Sequence, residues 1–155
     1  MSIDLTPKGT FGSRWLKAPR SLQKAFFSVF TFFVRLRGIG VLTLTTVGAR
    51  TGRIHRVDLS YFLEGQNAWL IVASKGGSAT HPAWYYNLAK NPDQIWVRIG
   101  KRRVRVRGES LQGEERDEAF RRIAARVPAY AGYQKKTDRV IPVIRLKVVQ
   151  EETTE

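Results

Sequence analysis

Across residues 40–149 the strand-like runs come in pairs joined by turns of a few residues, and this pairing narrows the possible folds most. Residues 41–46 are rich in β-branched side chains, which suit a pleated, half-buried surface. Residues 56–63 and 68–74 flank Glu64-Gly65-Gln66-Asn67, and residues 94–99 and 102–110 flank Gly100-Lys101. Connections this short join antiparallel neighbours, because a parallel pair needs a crossover of about a dozen residues or more. Helical patterns fall at residues 81–90, with Thr80 as a cap and Pro82 at the first helical position, and at 114–127, with Phe120 and Ile123 on the buried side. Residues 141–149 make a last strand. Strands and helices do not alternate, so a doubly wound parallel sheet fits poorly. The expected class is α+β, mainly β: a small antiparallel barrel with helices packed outside it.

The N-terminal part, residues 1–37, reads as a separate basic, Phe-rich helical segment ahead of a barrel domain at 38–150. Leu22, Phe26, Val29, Phe30 and Phe33 share one face at helical spacing, and Phe27 and Phe32 widen it. Ser21 after Pro19 is a plausible cap. The apolar run is shorter than the roughly 20 residues that span a bilayer, and no small-x-small cleavage site follows it. Two readings stand. The helix packs on the barrel, or it lies in a membrane interface, where phenylalanines flanked by Arg14, Lys17, Arg20, Arg35 and Arg37 suit anionic lipid. The expected location is cytoplasmic, with peripheral attachment at the inner face of the cell membrane under the second reading.

Two glycine-bearing loops each follow a strand-like run. One is Gly48-Ala49-Arg50-Thr51-Gly52-Arg53, leading to Arg56. The other is Ala73-Ser74-Lys75-Gly76-Gly77-Ser78, leading to His81-Pro82-Ala83-Trp84-Tyr85-Tyr86-Asn87. Glycine lets backbone amides approach a ligand, and Arg50, Arg53, Arg56 and Lys75 add full positive charge beside them. The pair suggests a pocket for an anion that also carries a flat ring. The net charge of +14 asks for an acidic partner as well. That charge is spread along the chain and not gathered in a low-complexity arm. Arg103, Arg105 and Arg107 alternate with Val104 and Val106, which places arginine on one face of a strand and valine on the other. This reads as the solvated outer face of a barrel, or as a docking face for a polyanion.

Groups able to do chemistry unaided are scarce. With no cysteine there is neither a thiolate nucleophile nor a disulfide. His55 and His81 stand in no metal-ligand pattern, and His81 next to Pro82 reads as a helix-start or pocket-wall residue. Ser74 and Ser78 have no Asp–His relay near them, and no paired carboxylates suggest hydrolysis. Binding groups without reactive ones are what a cofactor enzyme requires.

The motifs Leu42-Thr43-Leu44-Thr45-Thr46-Val47-Gly48-Ala49-Arg50-Thr51-Gly52, Val72-Ala73-Ser74-Lys75-Gly76-Gly77, His81-Pro82-Ala83-Trp84-Tyr85-Tyr86-Asn87-Leu88, Asn91-Pro92 and the stretch from Tyr130 to Pro142 resemble, in order and spacing over residues 38–149, the deazaflavin-dependent nitroreductase family. The resemblance implies the split β-barrel of flavin-binding-like oxidoreductases and the reduced deazaflavin coenzyme F420 as hydride donor. It implies a quinone or, in some members, a nitro compound as acceptor. By position it implies that Arg50, Thr51, Arg53 and Arg56 hold the coenzyme's phosphate or oligoglutamate tail. Ala73, Ser74, Lys75, Gly76 and Gly77 would line its phosphate and ring, and Trp84, Tyr85 and Asn87 would wall the ring. Tyr61, Ser74, Tyr130 and Tyr133 would face the acceptor or the deazaflavin as the catalytic set. No metal is implied, and family members are often homodimers. Val127 stands where the nitroreducing members carry tyrosine, which removes a polar contact and argues against nitroimidazole activation but leaves coenzyme binding and quinone reduction untouched. Two alternatives remain open: an FMN-binding oxidoreductase of the same fold, and a basic nucleic-acid-binding barrel.

Overall fold

The computed structural model describes residues 2–13, 19–36 and 38–152. Arg14, Lys17 and Arg37, three of the basic residues expected to flank the first helix, lie outside that set. The chain runs α1 (Arg20–Leu36), β1 (Gly40–Val47), β2 (Ile54–Leu63), β3 (Ala68–Val72), a 3₁₀ turn at Lys75–Gly77, α2 (Ala83–Lys90), β4 (Ile95–Ile99), β5 (Arg102–Ser110), α3 (Gly113–Arg126), α4 (Ala129–Lys135) and β6 (Val143–Glu152).

The six strands close into a barrel in the order β1-β2-β3-β6-β5-β4, and every neighbouring pair is antiparallel. Both expected hairpins are present. β2 pairs with β1 from Ile54 to Tyr61 and with β3 through Phe62 and Leu63, so it turns a corner of the barrel. Between β5 and β6 the register slips at Arg105/Val106, a bulge that adds curvature.

Two cores result. Alternate residues of the strands, such as Leu42, Leu44, Trp69, Ile71, Val97, Val104, Ile144 and Leu146, fill the barrel, and Trp84, Tyr85 and Leu88 of α2 join them. A second core lies outside it, where Leu70, Val72 and Val143 meet Phe120 and Ile123 of α3 and Tyr130 of α4. β3 sits between the two. Trp69 and Ile71 point inward while Leu70 and Val72 point outward, so all five of its residues are buried. That is why this strand is apolar throughout and does not alternate.

Local structure departs from expectation in several places: β2 starts two residues earlier and β3 ends two residues sooner than expected. α2 starts at Ala83 with Pro82 in the capping position, and the Thr80 hydroxyl accepts from Lys75 instead of capping the helix. Residues 129–135 form a helix, α4, where only a loop was expected. β6 starts at Val143, two residues later than expected. In α1, Phe30 packs against the second core, while Phe32 and Phe33 are 60% and 59% exposed. Residues 2–13 are laid along the barrel as an extended strap, from Ser110, whose amide donates to Ser2, to the 3₁₀ turn, where Ser13 Oγ donates to the Gly76 carbonyl.

Candidate active site

The turn after β3 carries three consecutive residues at positive φ. Lys75 has φ 44°, rare for a side-chain-bearing residue, and Gly76 and Gly77 follow at φ 61° and 81°. A Cβ on Gly77 would also stand 2.6 Å from the Tyr133 carbonyl, so sterics and φ both demand glycine there. The turn aims the Lys75 ammonium at Thr80 Oγ1 (3.0 Å) and the His81 carbonyl (3.4 Å). Burial, with Arg139 and Lys8 nearby, holds this ammonium below the ordinary lysine pKa.

The basic loop after β1 is closed by its own backbone: Gly48 N donates to the Arg53 carbonyl at 2.7 Å and Gly52 N to the Gly48 carbonyl at 3.0 Å. Asn87, buried on α2, fastens it to the barrel. Its Oδ1 accepts from Ala49 N at 2.9 Å and its Nδ2 donates to Thr46 Oγ1 at 3.1 Å.

Two cavities meet here. The larger, about 740 Å³, is lined by Lys8, Arg50 and Lys75, by the hydroxyls of Thr46, Thr51 and Thr80, and by His55, His81, Trp84, Tyr86 and Asn87. It holds three cations and several hydrogen-bond donors, with no carboxylate among its described lining residues, a set suited to an anion. The smaller, about 460 Å³, is mainly apolar: Phe26, Phe27 and Phe30 of α1, Leu59 and Val72 form its walls, with the Tyr130 and Tyr133 rings. Its polar groups are Ser13, Ser60, Ser74 and Lys136 beside the two phenols. Lys75 and Trp84 line both cavities.

The phenols are kept protonated by their surroundings. Burial pushes the Tyr130 hydroxyl, hydrogen-bonded to Ser60, up to about 12, and burial raises Tyr133 as well. Each therefore stays a hydrogen-bond donor across the ordinary pH range.

Of the residues singled out in the sequence, Arg50, Thr51, Lys75, Trp84 and Asn87 line the cationic cavity, and Ser74, Lys75, Gly76, Trp84, Tyr130 and Tyr133 line the apolar one. Six lie outside both. Ala73 is buried in the barrel core and Gly77 against Tyr133. Arg53 is exposed and closes its loop through its backbone. Arg56 falls on the opposite face of β2 from His55 and Val57, which do line the cavity. Tyr61 packs edge-on against Trp69, over Gly40, where a Cβ would stand 2.3 Å from its ring. Tyr85 points into the core, its hydroxyl donating to the Asp4 carbonyl at 2.9 Å, and Tyr86 takes the place at the cavity expected of it. Val127 is buried in the second core and lines neither cavity. Lys8, Tyr86, Lys136 and the phenylalanines of α1 carried no local signal that would have assigned them to the site. His55 is the second residue of β2, and strand alternation from Val57 would have found it.

On the arginine strand the expected alternation holds, with Val104 and Val106 buried. Arg102, Arg103 and Arg107 pair with Glu151, Glu152 and Asp93, which accounts for much of that face as a solvated surface.

Residues 24–149 match the family model described as F420H(2)-dependent quinone reductase. An F420H(2)-dependent quinone reductase of Mycobacterium tuberculosis is 40% identical over 108 residues, 68% of this chain and 71% of the relative. The solved structure of an F420-H2 dependent reductase, FDR-A, superposes with a TM-score of 0.62 at 37% identity, covering 70% of this chain and 94% of the other. A structure described as a domain-swapped dimer matches equally well, with a TM-score of 0.62 at 37% identity over 70% of this chain and 80% of its own.

Proposed function

The chain belongs to the F420H(2)-dependent quinone reductase family, and from that membership we propose a division of labour between its two cavities. The protein is an F420H2-dependent oxidoreductase with the antiparallel split barrel of that family. The observation that carries the proposal is the junction: a cationic cavity and an apolar one share Lys75 and Trp84 as common walls. The cationic cavity takes the anionic coenzyme, and the apolar cavity takes the quinone.

Arg50, Lys8 and the hydroxyl of Thr51 hold the phosphate or the acidic tail. Trp84 offers a flat wall at the junction, and Lys75 lies beside it as a donor. Reduced F420, when bound, supplies the hydride. Tyr130 and Tyr133 donate hydrogen bonds to the acceptor oxygen on which negative charge develops. Phe26, Phe27 and Phe30 exclude water from that charge, which strengthens those bonds. Nitro compounds are a second acceptor class for the same cavity, open to direct assay.

The test is a fluorescence titration with oxidised F420. Wild type should bind in the micromolar range or tighter. Lys75→Ala should lose roughly 1.5–3 kcal/mol, the worth of a hydrogen bond to a charged group. Arg53→Ala, at a side chain outside the cavity, should lose far less. Equal losses would overturn the assignment of the cavity.

The open face of α1 supports docking to a membrane surface, where a hydrophobic quinone resides. Leu22, Phe32, Phe33 and Leu36 are exposed on the helix that carries Arg20 and Arg35 near its ends. Among the described residues no helix is long and apolar enough to cross a bilayer. The domain-swapped relative supports the competing occupant of the same face, a second copy in a homodimer. Replacing Phe32 and Phe33 by serine, and measuring both pelleting with anionic vesicles and mass in solution, separates the two. Lost pelleting in a monomer favours the membrane, and halved mass favours the dimer. Deleting residues 1–37 would not separate them, because it also removes the strap.

A further inference from the structure

Arg139 is 2% exposed, yet among the described residues no carboxylate faces it. Buried charges are normally paired with an opposite charge. Here backbone carbonyls compensate it. Nε donates to the Ser78 carbonyl at 2.9 Å, Nη1 to the Ala73 carbonyl at 3.0 Å and Nη2 to the Ser74 carbonyl at 2.8 Å. Those three carbonyls bracket the Lys75–Gly77 turn, so one rigid fork pins both ends of the strained backbone at the junction of the cavities.

Nη1 also lies 2.9 Å from His81 Nδ1. A guanidinium has donors only, so Nδ1 must accept, and the ring proton must sit on Nε2. Nε2 lies 2.8 Å from the Thr6 carbonyl, the acceptor that this proton requires. Thr6 belongs to the strap that carries Lys8 into the cationic cavity. The titratable groups around the ring are Arg139, Lys75, Tyr85 and Tyr86, and Lys8 lines the same cavity. Burial and the cations among them disfavour an imidazolium.

We propose that Arg139 is the positioning residue of the coenzyme site, holding the Lys75–Gly77 turn directly and the Lys8 strap through the Nε2–H tautomer of His81. The proposal rests on reading the cationic cavity as the coenzyme site. Arg139 does not line that cavity and acts only through the groups it holds.

The experiment has two arms. Long-range proton–nitrogen spectra of the full chain, labelled with nitrogen-15 at pH 7 without coenzyme, read the tautomer directly. Only His55 and His81 contribute, and a His55→Gln sample assigns them. His81 should show a protonated Nε2 and a bare Nδ1. In the second arm Arg139→Lys, which keeps the charge but not the fork, should lose the single tautomer and bind oxidised F420 roughly tenfold more weakly or worse. Its turnover at saturating coenzyme should fall much less, a split that a general loss of folded protein would not produce. A His81 protonated on Nδ1, or an imidazolium, overturns the relay without any variant. Arg139→Lys with wild-type affinity overturns the positioning role. A wild type with the expected tautomer but no affinity for F420 overturns the reading of the cavity, and the proposal with it.

Discussion

Tyr130 and Tyr133 show how a residue's role depends on what surrounds it. Both rings face the apolar cavity, and both hydroxyls are held protonated by burial. We expect Tyr133→Phe to lower turnover with quinone by roughly tenfold or more, as loss of a donor to a developing oxyanion does, while the coenzyme titration is unchanged. A matched loss of coenzyme affinity would move Tyr133 out of the acceptor site. At this scale the sequence was a partial guide. Arg50 and Lys75 were legible because glycine-bearing backbone and positive charge mark their loops, whereas the placing of Trp84 and Asn87 came from the family resemblance. That Tyr61, Arg56 and Tyr85 line neither cavity was not legible, for one reason: alternation along a strand or rotation around a helix tells which residues share a face, but not which face meets the cavity. His55 and Tyr86, each one position away from Arg56 and Tyr85, line the cationic cavity instead.

Among the elements, the strap at residues 2–13 departs most from expectation, which placed it in a separate N-terminal segment. Thr10 N and Oγ1 donate to the two carboxylate oxygens of Asp138 at 2.8 and 2.5 Å, Thr137 Oγ1 donates to the Phe11 carbonyl at 2.7 Å, and Gly9 N donates to the Ala79 carbonyl at 2.8 Å. At Gly12 the strap runs so close to the turn that a Cβ would stand 2.1 Å from Ala79 N, a backbone atom with little room to yield. Gly12→Ala should therefore cost roughly 1–3 kcal/mol, the usual penalty of overpacking. It should also make the strap the first site cut in limited proteolysis and weaken F420 binding through displacement of Lys8. A variant with wild-type protease resistance would show that the strap is not held as described. No periodicity marks such a strap, because its hydrogen bonds go to residues far along the chain. α4 was missed for a related reason: seven residues containing Gly132 make a poor isolated helix, and contact with the Lys75–Gly77 turn and the second core holds it.

For the molecule as a whole, buried His81 links stability to pH. Its pKa is lowered in the folded state, first by burial. Above about pH 6.5 the ring is neutral in both states and contributes no pH dependence. As pH falls below that value the unfolded chain takes up a proton that the folded chain refuses, so stability falls until the folded-state pKa is reached. The slope from this one site cannot exceed about 1.4 kcal/mol per pH unit. Urea midpoints should drop between pH 7.5 and 5.5, and His81→Asn should flatten that drop. Glu64, held low by its hydrogen bond to Arg145, and Asp138, held low by Thr10, add their own losses only towards about pH 4.

Alternation, turn length and glycine position are local properties, and they determined what local properties can: six strands, antiparallel pairing, two glycine-bearing basic loops and the motifs of the family. Closure of the barrel decided the rest. It brought Arg139 beneath a turn formed more than sixty residues earlier, drew the strap across that turn, and set α1 over the apolar cavity. Each of these contacts joins segments that share no local pattern. Their energies arise only once the barrel has chosen which faces turn inward, and for that reason tertiary structure alone decided them.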